Sequence, residues 1–197
     1  MEDLLAERGI IVSYETIRQW CWKFGPDYAR RLKKKQGHLG DTWYLDELFV
    51  RINGQQQYLW RAVDQDGDVI DILLQSRRDQ RAERFLRRLL RGQGKQPFRI
   101  ITDKLKSYSA ASRTILPGVT HDTQQYDNNR AETSHQPTRM RERQMRRFKS
   151  SQQAQRFLSL HGVVRNLFCV ARHMLRSTHH RLLRSRSIEV WRRVTAA

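Results

Sequence analysis

Three consecutive runs of alternating apolar and polar residues, joined by two short turns, are the feature that most constrains the fold of this chain. The runs read TWYLDELFVRI, QYLWRAVDQDG and DVIDILLQ. The dipeptides Asn53-Gly54 and Asp66-Gly67 separate them, and such dipeptides between alternating runs are typical of hairpin turns. The pattern therefore predicts a meander of three antiparallel strands.

The rest of the chain extends this meander into an α/β fold. Residues 79–90 form an amphipathic helix pattern, and FRIITD at 98–103 is a short run typical of a buried strand. A second helix is predicted at 108–115 and an edge strand at 119–124, with helices after residue 128. The order β-β-β-α-β-α-β-α-α is that of the ribonuclease H-like fold, in which a right-handed crossover follows three antiparallel strands and leads to a parallel fourth.

The residues before the meander have the pattern of a helix-turn-helix. One short helix is predicted at 2–8, and a second one, capped by Ser13, is predicted to run through Lys23. A helical hairpin with no DNA-binding role is the alternative. We therefore predict four regions: a partial helix-turn-helix segment (1–27), a basic linker (28–40), a ribonuclease H-like catalytic domain (41–150) and a C-terminal basic helical region (151–197).

The charge of the chain indicates a polyanionic partner. The formal net charge is +18, and residues 133–197 contain fifteen Lys and Arg but only two acids, Glu142 and Glu189. Such an excess on a folded protein is typical of nucleic-acid binding, although a ribosomal protein or a protein that binds membrane surfaces would share it. We favour double-stranded DNA as the partner.

The cysteine spacing and the lack of a signal-peptide pattern predict a cytoplasmic protein with no membrane partner. Cys21 and Cys169 are far apart and neither belongs to a C-x2-C pair, so neither a disulfide framework nor a zinc site is predicted. The N-terminal residues MEDLLAERGI carry acids where a signal peptide needs positive charge, and no apolar run reaches membrane-spanning length.

Two aspartates occupy positions that favour a divalent metal site. Asp46 interrupts the apolar face of the first strand, where a carboxylate is costly. Asp103 ends the fourth strand, at the edge where open α/β sheets bind their ligands. Neighbouring first and fourth strands would bring the two carboxylates together, and hard oxygen ligands are those that Mg²⁺ or Mn²⁺ prefers.

Glu132 is the best third ligand, but its spacing has a second explanation. Asn129 with Glu132 three residues later also fits a helix capping box, which is a structural role. Glu142 is a reserve candidate, although an ion pair within its own helix explains it more simply. The other acids of the central region are expected at the surface or in turns: Glu47, Asp64, Asp68 and Asp71.

Five strings together resemble a known family, the bacterial transposases of the insertion-sequence-six group. They are DTWYLDELFVRING, YLWRAVDQDG, ITDKLKSYSAA, NNRAETSHQPTR and RERQMRRFKS, in that order over nearly the whole chain. By resemblance, Asp46, Asp103 and Glu132 fall on the family's Asp-Asp-Glu catalytic triad. Asn128 and Asn129 fall on the paired asparagines before the glutamate.

The resemblance implies a two-metal reaction on DNA. Two Mg²⁺ or Mn²⁺ ions held by the triad would activate water to cut a phosphodiester and then activate the 3′-hydroxyl to attack target DNA. No covalent protein–DNA intermediate is required, so Tyr108 and Ser107 are not expected to be nucleophiles. A homodimer acting on the element's inverted-repeat ends, in the nucleoid, is the expected state.

Basic residues are expected to contact DNA phosphates and position the duplex without reading its sequence. A solvated basic face is the alternative interpretation. The predicted DNA-binding residues are Arg18, Lys23, Arg139, Arg143, Arg146, Arg147 and Lys149.

Two other functions remain open from the sequence. A ribonuclease H-like nuclease would cut DNA without joining strands, and a silent remnant would bind DNA without cutting it. The second is relevant because family members usually carry a further helical segment before the part that aligns with MEDLLAERGI. The chain is therefore expected to be shortened at its N-terminus.

Overall fold

The structure is a computed structural model that describes residues 2–37, 39–76, 81–103, 106–124, 128, 131, 134–144, 147–169 and 175–196. The strands within these residues are β1 (Thr42–Ile52), β2 (Gln55–Asp64), β3 (Val69–Gln75), β4 (Arg99–Thr102) and β5 (Thr120–Asp122). The helices are α1 (Glu2–Ala6), α2 (Tyr14–Lys35), α3 (Arg81–Gln93), α4 (Lys106–Ile115), α5 (Gln136–Gln144), α6 (Ser151–Phe168) and α7 (Ser177–Thr195).

One mixed sheet organises the fold. Its strand order is β3-β2-β1-β4-β5. The pairs β1–β2 and β2–β3 are antiparallel, whereas β1–β4 and β4–β5 are parallel. The predicted antiparallel meander followed by a crossover to a parallel fourth strand is thus confirmed, and with it the ribonuclease H-like α/β architecture.

The first hairpin has the turn that its sequence predicts. Asn53 and Gly54 both have positive φ, at 50° and 77°. Positive φ at both central residues defines the type I′ turn, whose twist matches that of the flanking strands. The turn therefore fixes the register in which Ile52 pairs with Gln55 and, further along, Asp46 pairs with Arg61.

Helices cover both faces of the sheet because both faces are apolar. On one face α3 and α4 contribute to a core that contains Trp43, Leu45, Trp60, Phe85, Leu86, Leu89 and Tyr108. On the other face α6 contributes to a core that contains Val50, Ile52, Leu59, Val63, Ala154 and Leu158. Since side chains alternate along a strand, the even-numbered positions of β1 belong to the α6 face, and Asp46 is one of them.

Helix α2 is longer than the sequence predicts. Ser13 is its N-cap, with Oγ accepting from the Thr16 amide at 3.3 Å, but the helix continues past Pro26 and the predicted end at Lys23 to Lys35. Most of the segment predicted as a basic linker is therefore helical. Tertiary packing explains the difference, because Ala29 and Leu32 join a third core cluster with residues of α6 and α7.

That third cluster packs α2 and α7 against α6. It contains Ala29, Leu32, Val163 and Val194, with Tyr28 and Trp191 packed beside them. Among the described residues, no helix combines the length and the apolar content that crossing a membrane requires.

Candidate active site

The pairing of β1 with β4 brings Asp46 and Asp103 to neighbouring positions. The parallel register aligns Tyr44 with Ile101 and Leu45 with Thr102. The next residue of each strand is Asp46 in β1 and Asp103 directly after β4. The two residues therefore lie side by side at the carboxyl end of β4, which is the edge predicted from the sequence.

Asp46 has a buried histidine as its partner. Nε2 of His135 lies 3.1 Å from Oδ2 of Asp46, and both side chains are largely inaccessible to solvent. Burial lowers the pKa of His135, although the Asp46 carboxylate acts in the opposite direction. Neither ring nitrogen of His135 has hydrogen-bond geometry with a described residue, so its contact with Asp46 is one of close electrostatic proximity.

The backbone beside Asp46 is held by Asn128. Its Nδ2 donates to the Leu45 carbonyl oxygen at 2.9 Å, and the side chain is buried. Its Oδ1 is also buried and has no hydrogen-bond partner in the described structure. Asn128 thus connects the segment that contains Glu132 to the strand that carries Asp46. Glu132 itself, and the predicted capping pair with Asn129, lie outside the described residues.

Tyr108 and Glu47 lie behind the carboxylates, on the α3 and α4 side of the sheet. The Tyr108 ring packs edge-on against Trp60, and its hydroxyl is buried with no hydrogen-bond partner among the described residues. Burial, together with the charges of Asp46, Asp103 and Glu47, raises the pKa of Tyr108 well above its usual value. The phenol is therefore neutral, and its predicted exclusion as a nucleophile agrees with this environment.

Two acids expected at the surface or in turns are buried to different degrees. Glu47 is half-buried, with Oε2 inaccessible to solvent, because it faces Trp60 across the β1–β2 pair. Asp71 is buried because it pairs with Lys33 and Arg88 from two different helices. The expectation of exposure was wrong for both, since each has neighbours from distant parts of the chain.

Arg61 places a positive charge on the same face of the sheet as Asp46. It pairs with Asp46 across the strands, is 1% exposed, and donates from Nη1 to the Thr138 hydroxyl at 2.9 Å. Burial and the nearby charge of Arg165 lower its pKa to about 9, so the guanidinium stays protonated at neutral pH. This positive charge lies on β2, directly across the strand pair from Asp46.

The predicted DNA-binding residues fall into two groups. Arg18 and Lys23 are exposed on α2, where Arg18 pairs with Glu15 at 2.6 Å and the Lys23 ammonium lies 5.3 Å from the Phe24 ring centroid. The other group is exposed on α5 and the loop that follows it: Arg139, Arg143, Arg147 and Lys149. Arg146 lies outside the described residues.

Oxygen ligands for a metal are available at this edge. Asp46 and Asp103 supply carboxylates, and the unpartnered Oδ1 of Asn128 is close to the backbone of β1. No group of three His, Cys, Asp or Glu side chains suited to a metal occurs in the described ranges, and the predicted third ligand lies beyond them. The donors present are hard oxygens, which fit Mg²⁺ or Mn²⁺.

The sequence of residues 40–170 matches a protein family described as the DDE domain. This chain belongs to the DDE domain family. The match includes all five strands and both aspartates of the edge, and the predicted family membership is confirmed.

Relatives of this DDE domain protein include transposases of insertion sequences. It is 32% identical over 147 residues to the transposase for insertion sequence-like element IS431mec of Staphylococcus aureus strain Mu50, covering 72% of this chain. It is 31% identical over the same length to the transposase for insertion sequence element IS257 in transposon Tn4003 of the same species. The chain spans 65% of the length of each relative.

Among solved structures, the catalytic domain of Mos1 transposase, determined with raltegravir and Mg, has a TM-score of 0.49 to this DDE domain protein. The two are 16% identical, and the overlap covers 88% of this chain and 94% of that one.

Three residues of the site were missed by the sequence reasoning: Arg61, Asn128 as a strand contact, and His135. Arg61 carried a usable signal, because an arginine inside YLWRAVD breaks the apolar run as clearly as Asp46 breaks WYLDELFV. His135 carried none that is specific, since its contact with Asp46 depends on a chain reversal between distant segments.

Proposed function

We propose that this chain supplies the catalytic domain of a DDE transposase, an enzyme that cuts DNA strands at insertion-sequence ends and joins them to target DNA. The observation that carries the proposal is the parallel register of β1 and β4, which makes Asp46 and Asp103 neighbours at one sheet edge. Two carboxylates on adjacent strands, in a chain of net charge +18, suit chemistry on a phosphodiester.

Asp46, Asp103 and Glu132 are the residues that would hold Mg²⁺ or Mn²⁺, as two ions. When bound, the metal supplies Lewis-acid activation of the attacking hydroxyl and neutralises charge that develops on the phosphate. The chemistry of the ligands supports this proposal, because Mg²⁺ and Mn²⁺ prefer carboxylate oxygens. A further oxygen, Oδ1 of Asn128, is buried and has no hydrogen-bond partner in the described structure.

The chain's own residues prepare this edge for the reaction. His135 places its Nε2 3.1 Å from the Asp46 carboxylate, and Asn128 fixes the backbone at Leu45, one residue earlier. Arg61 adds a buried positive charge on the same face, which favours an anionic ligand there. Tyr108 remains protonated and buried, so it is not proposed as a nucleophile.

Double-stranded DNA, both element ends and target, is the proposed substrate. The proposed phosphate contacts come from Arg139, Arg143, Arg146, Arg147 and Lys149 and, on α2, from Arg18 and Lys23. A homodimer on DNA is the proposed working state, and DNA binding would localise it to the nucleoid. These proposals rest on the exposure and charge of the described members of the set.

The test is strand transfer by the purified protein, with Mg²⁺ and a duplex that ends in the element's inverted repeat. Asp46→Asn and Asp103→Asn are expected to reduce joining below detection while DNA binding and the circular dichroism spectrum stay unchanged. Asp66→Asn removes an exposed turn acid and is the matched control, which is expected to join at the wild-type rate.

Each alternative outcome has a distinct meaning. Joining by Asp46→Asn at the wild-type rate would reject the proposed triad. Cutting without joining by the wild-type protein would indicate a nuclease, and DNA binding without cutting in Mg²⁺ or Mn²⁺ would indicate a silent DNA-binding derivative. Either result would reject the proposed function.

A further inference from the structure

A basic cleft lies where the first half of α2 meets α6. Its volume is about 400 Å³, and three cations, one amide and one indole line it. The lining residues are Arg18, Gln19, Trp22 and Lys23 of α2 and Arg156 of α6. Arg18 is ion-paired with Glu15, which leaves Lys23 and Arg156 as the cations that two helices distant in the sequence contribute to the cleft.

Arg156 is oriented in this cleft by Trp22. Its guanidinium carbon lies 4.2 Å from the centroid of the Trp22 ring, and the indole is 46% exposed. Stacking uses the flat face of a guanidinium and leaves its N–H groups directed outward in the plane. Arg156 forms no hydrogen bond or ion pair with any other described residue, so these donors are available to a ligand.

Exposed tryptophan on this helix also requires an explanation. Trp20 and Trp22 are 42% and 46% exposed, whereas Trp43 and Trp60 in the sheet are fully buried. Cations and amides are typical phosphate-contacting groups, and an exposed indole beside them supports an arginine through a cation–π contact.

We propose that the cleft between α2 and α6 binds a phosphodiester of the DNA backbone, with Arg156 as its central donor. The proposal rests on the proposed function only for the identity of the polyanion. It assigns to α6, the helix that packs on the sheet, part of the surface that holds DNA against α2. The contact is to phosphate, so it contributes affinity and orientation but no sequence preference.

The experiment compares Arg156→Gln with Arg87→Gln in DNA binding. Both substitutions remove one arginine charge. Arg87, however, lies on α3, where it pairs with Glu83, and α3 contributes no residue to the lining of the cleft. Binding is measured by fluorescence anisotropy over a salt series, with one duplex carrying the element's inverted repeat and one of unrelated sequence.

Arg156→Gln is expected to weaken binding about tenfold at 0.1 M salt and to lower the slope of log K against log salt by about 0.9, since one phosphate contact is lost. The loss is expected to be equal for the two duplexes. Trp22→Leu is expected to weaken binding less, and Trp22→Phe is expected to restore most of it, because a ring still supports the guanidinium. Arg87→Gln is expected to behave as wild type.

Affinity and salt slope of Arg156→Gln equal to those of Arg87→Gln would overturn the proposal. Unchanged DNA affinity with weaker binding to anionic lipid vesicles would also overturn it and assign the cleft to a membrane surface. The proposed function fails separately. If strand joining requires Asp46 and Asp103 but Arg156→Gln binds DNA normally, only the proposal for the cleft is rejected. If Arg156→Gln binds DNA weakly but the wild-type protein joins no strands, only the proposed enzyme function is rejected.

Discussion

Asp68 is an acid whose surroundings disfavour its charged form. It lies in the β2–β3 turn with Asp64 and Asp66. The Asp64 carboxylate accepts from the amides of Asp66 and Asp68 and from that of Gly40, which organises the turn. Burial and the charges of Asp64 and Asp66 raise the pKa of Asp68 to about 6. The Asp64 carboxylate therefore stabilises the turn through its hydrogen bonds, whereas the charged form of Asp68 destabilises it.

We predict that Asp68→Asn stabilises the protein at pH 7.5. The folded pKa of about 6 exceeds the unfolded value, so the folded state binds more protons and the cost of Asp68 grows as the pH rises between the two values. The gain in melting temperature should be largest above pH 6 and should disappear below about pH 4. Thermal melts at pH 4, 5.5 and 7.5 measure it.

Glu7→Gln is the control for this prediction, because its side chain is exposed and its charge is not among those that raise the pKa of Asp68. A gain for Asp68→Asn that is the same at every pH would contradict the electrostatic explanation. So would an equal gain for the control.

Single residues were predictable when they broke a local rule. Asp46 stood out because a carboxylate interrupts an apolar strand. Its place beside Asp103, one residue after the Leu45–Thr102 pair, followed once the first and fourth strands were predicted to be neighbours. His135 could not be predicted, because only tertiary packing brings its Nε2 to Asp46. The burial of Asp71 has the same cause, since its two partners come from different helices.

Helix α6 covers the open edge of the sheet with two amide side chains. Asn166 accepts from the Val69 amide and donates to the Val69 carbonyl, both at 2.8 Å. Gln155 accepts from the Leu74 amide at 2.7 Å and donates to the Ile72 carbonyl at 3.0 Å. Since β3 is the edge strand, these contacts satisfy backbone groups that would otherwise be available to another chain.

We predict that Gln155→Leu and Asn166→Leu each lower the free energy of unfolding by about 2 kcal/mol, because each removes two hydrogen bonds and leaves backbone groups of β3 unsatisfied. Both should also increase light scattering of the folded protein on storage, as an open edge strand favours association. Urea denaturation and static light scattering measure the two effects.

Gln152→Leu is the matched control, since this glutamine of α6 is exposed. Stability of Gln155→Leu equal to that of Gln152→Leu would show that the edge contact contributes nothing measurable.

Strands were predicted more closely than helix ends. The turn dipeptides bounded the strands, and the β1–β2 hairpin has the type I′ dihedral angles that Asn53-Gly54 favours. Helix α2 continues past its predicted end at Lys23, and past Pro26, to Lys35. Packing of Leu32 against α6 and α7 stabilises the longer helix, and such packing is not encoded in the segment itself.

At the scale of the whole molecule, Asp71 joins three elements. From β3 it accepts from Lys33 of α2 at 2.8 Å and from Arg88 of α3 at 2.6 Å, and its own side chain is 10% exposed. Burial alone would raise the pKa of Asp71, but the hydrogen bond from Arg88 and the charge of Lys33 outweigh burial and hold the pKa below its usual value.

We predict that Asp71→Asn lowers the free energy of unfolding by about 2 kcal/mol at pH 7, the value typical of hydrogen bonds to a charged group. The folded pKa is depressed, so this stability is fully present above the unfolded pKa of about 4 and is lost as the pH falls through the folded pKa. The difference between wild type and variant should therefore be constant from pH 5 to 8 and shrink towards pH 2.5, as measured by urea denaturation.

Asp41→Asn provides the comparison, because Asp41 pairs with Lys95 at 3.1 Å while 73% of its side chain is exposed. Such a pair contributes less than about 1 kcal/mol. An Asp71→Asn effect no larger than this would mean that the three elements are held by their apolar contacts alone.

The parallel alignment of β1 with β4 also determines which mutations would keep the two aspartates side by side. Side chains alternate along a strand, so inserting or deleting one residue within 42–45 or 99–102 would move one aspartate out of step with the other. Substitutions at the same positions preserve the count. In lineages that retain activity, we expect these short segments to vary in residue type but never in length.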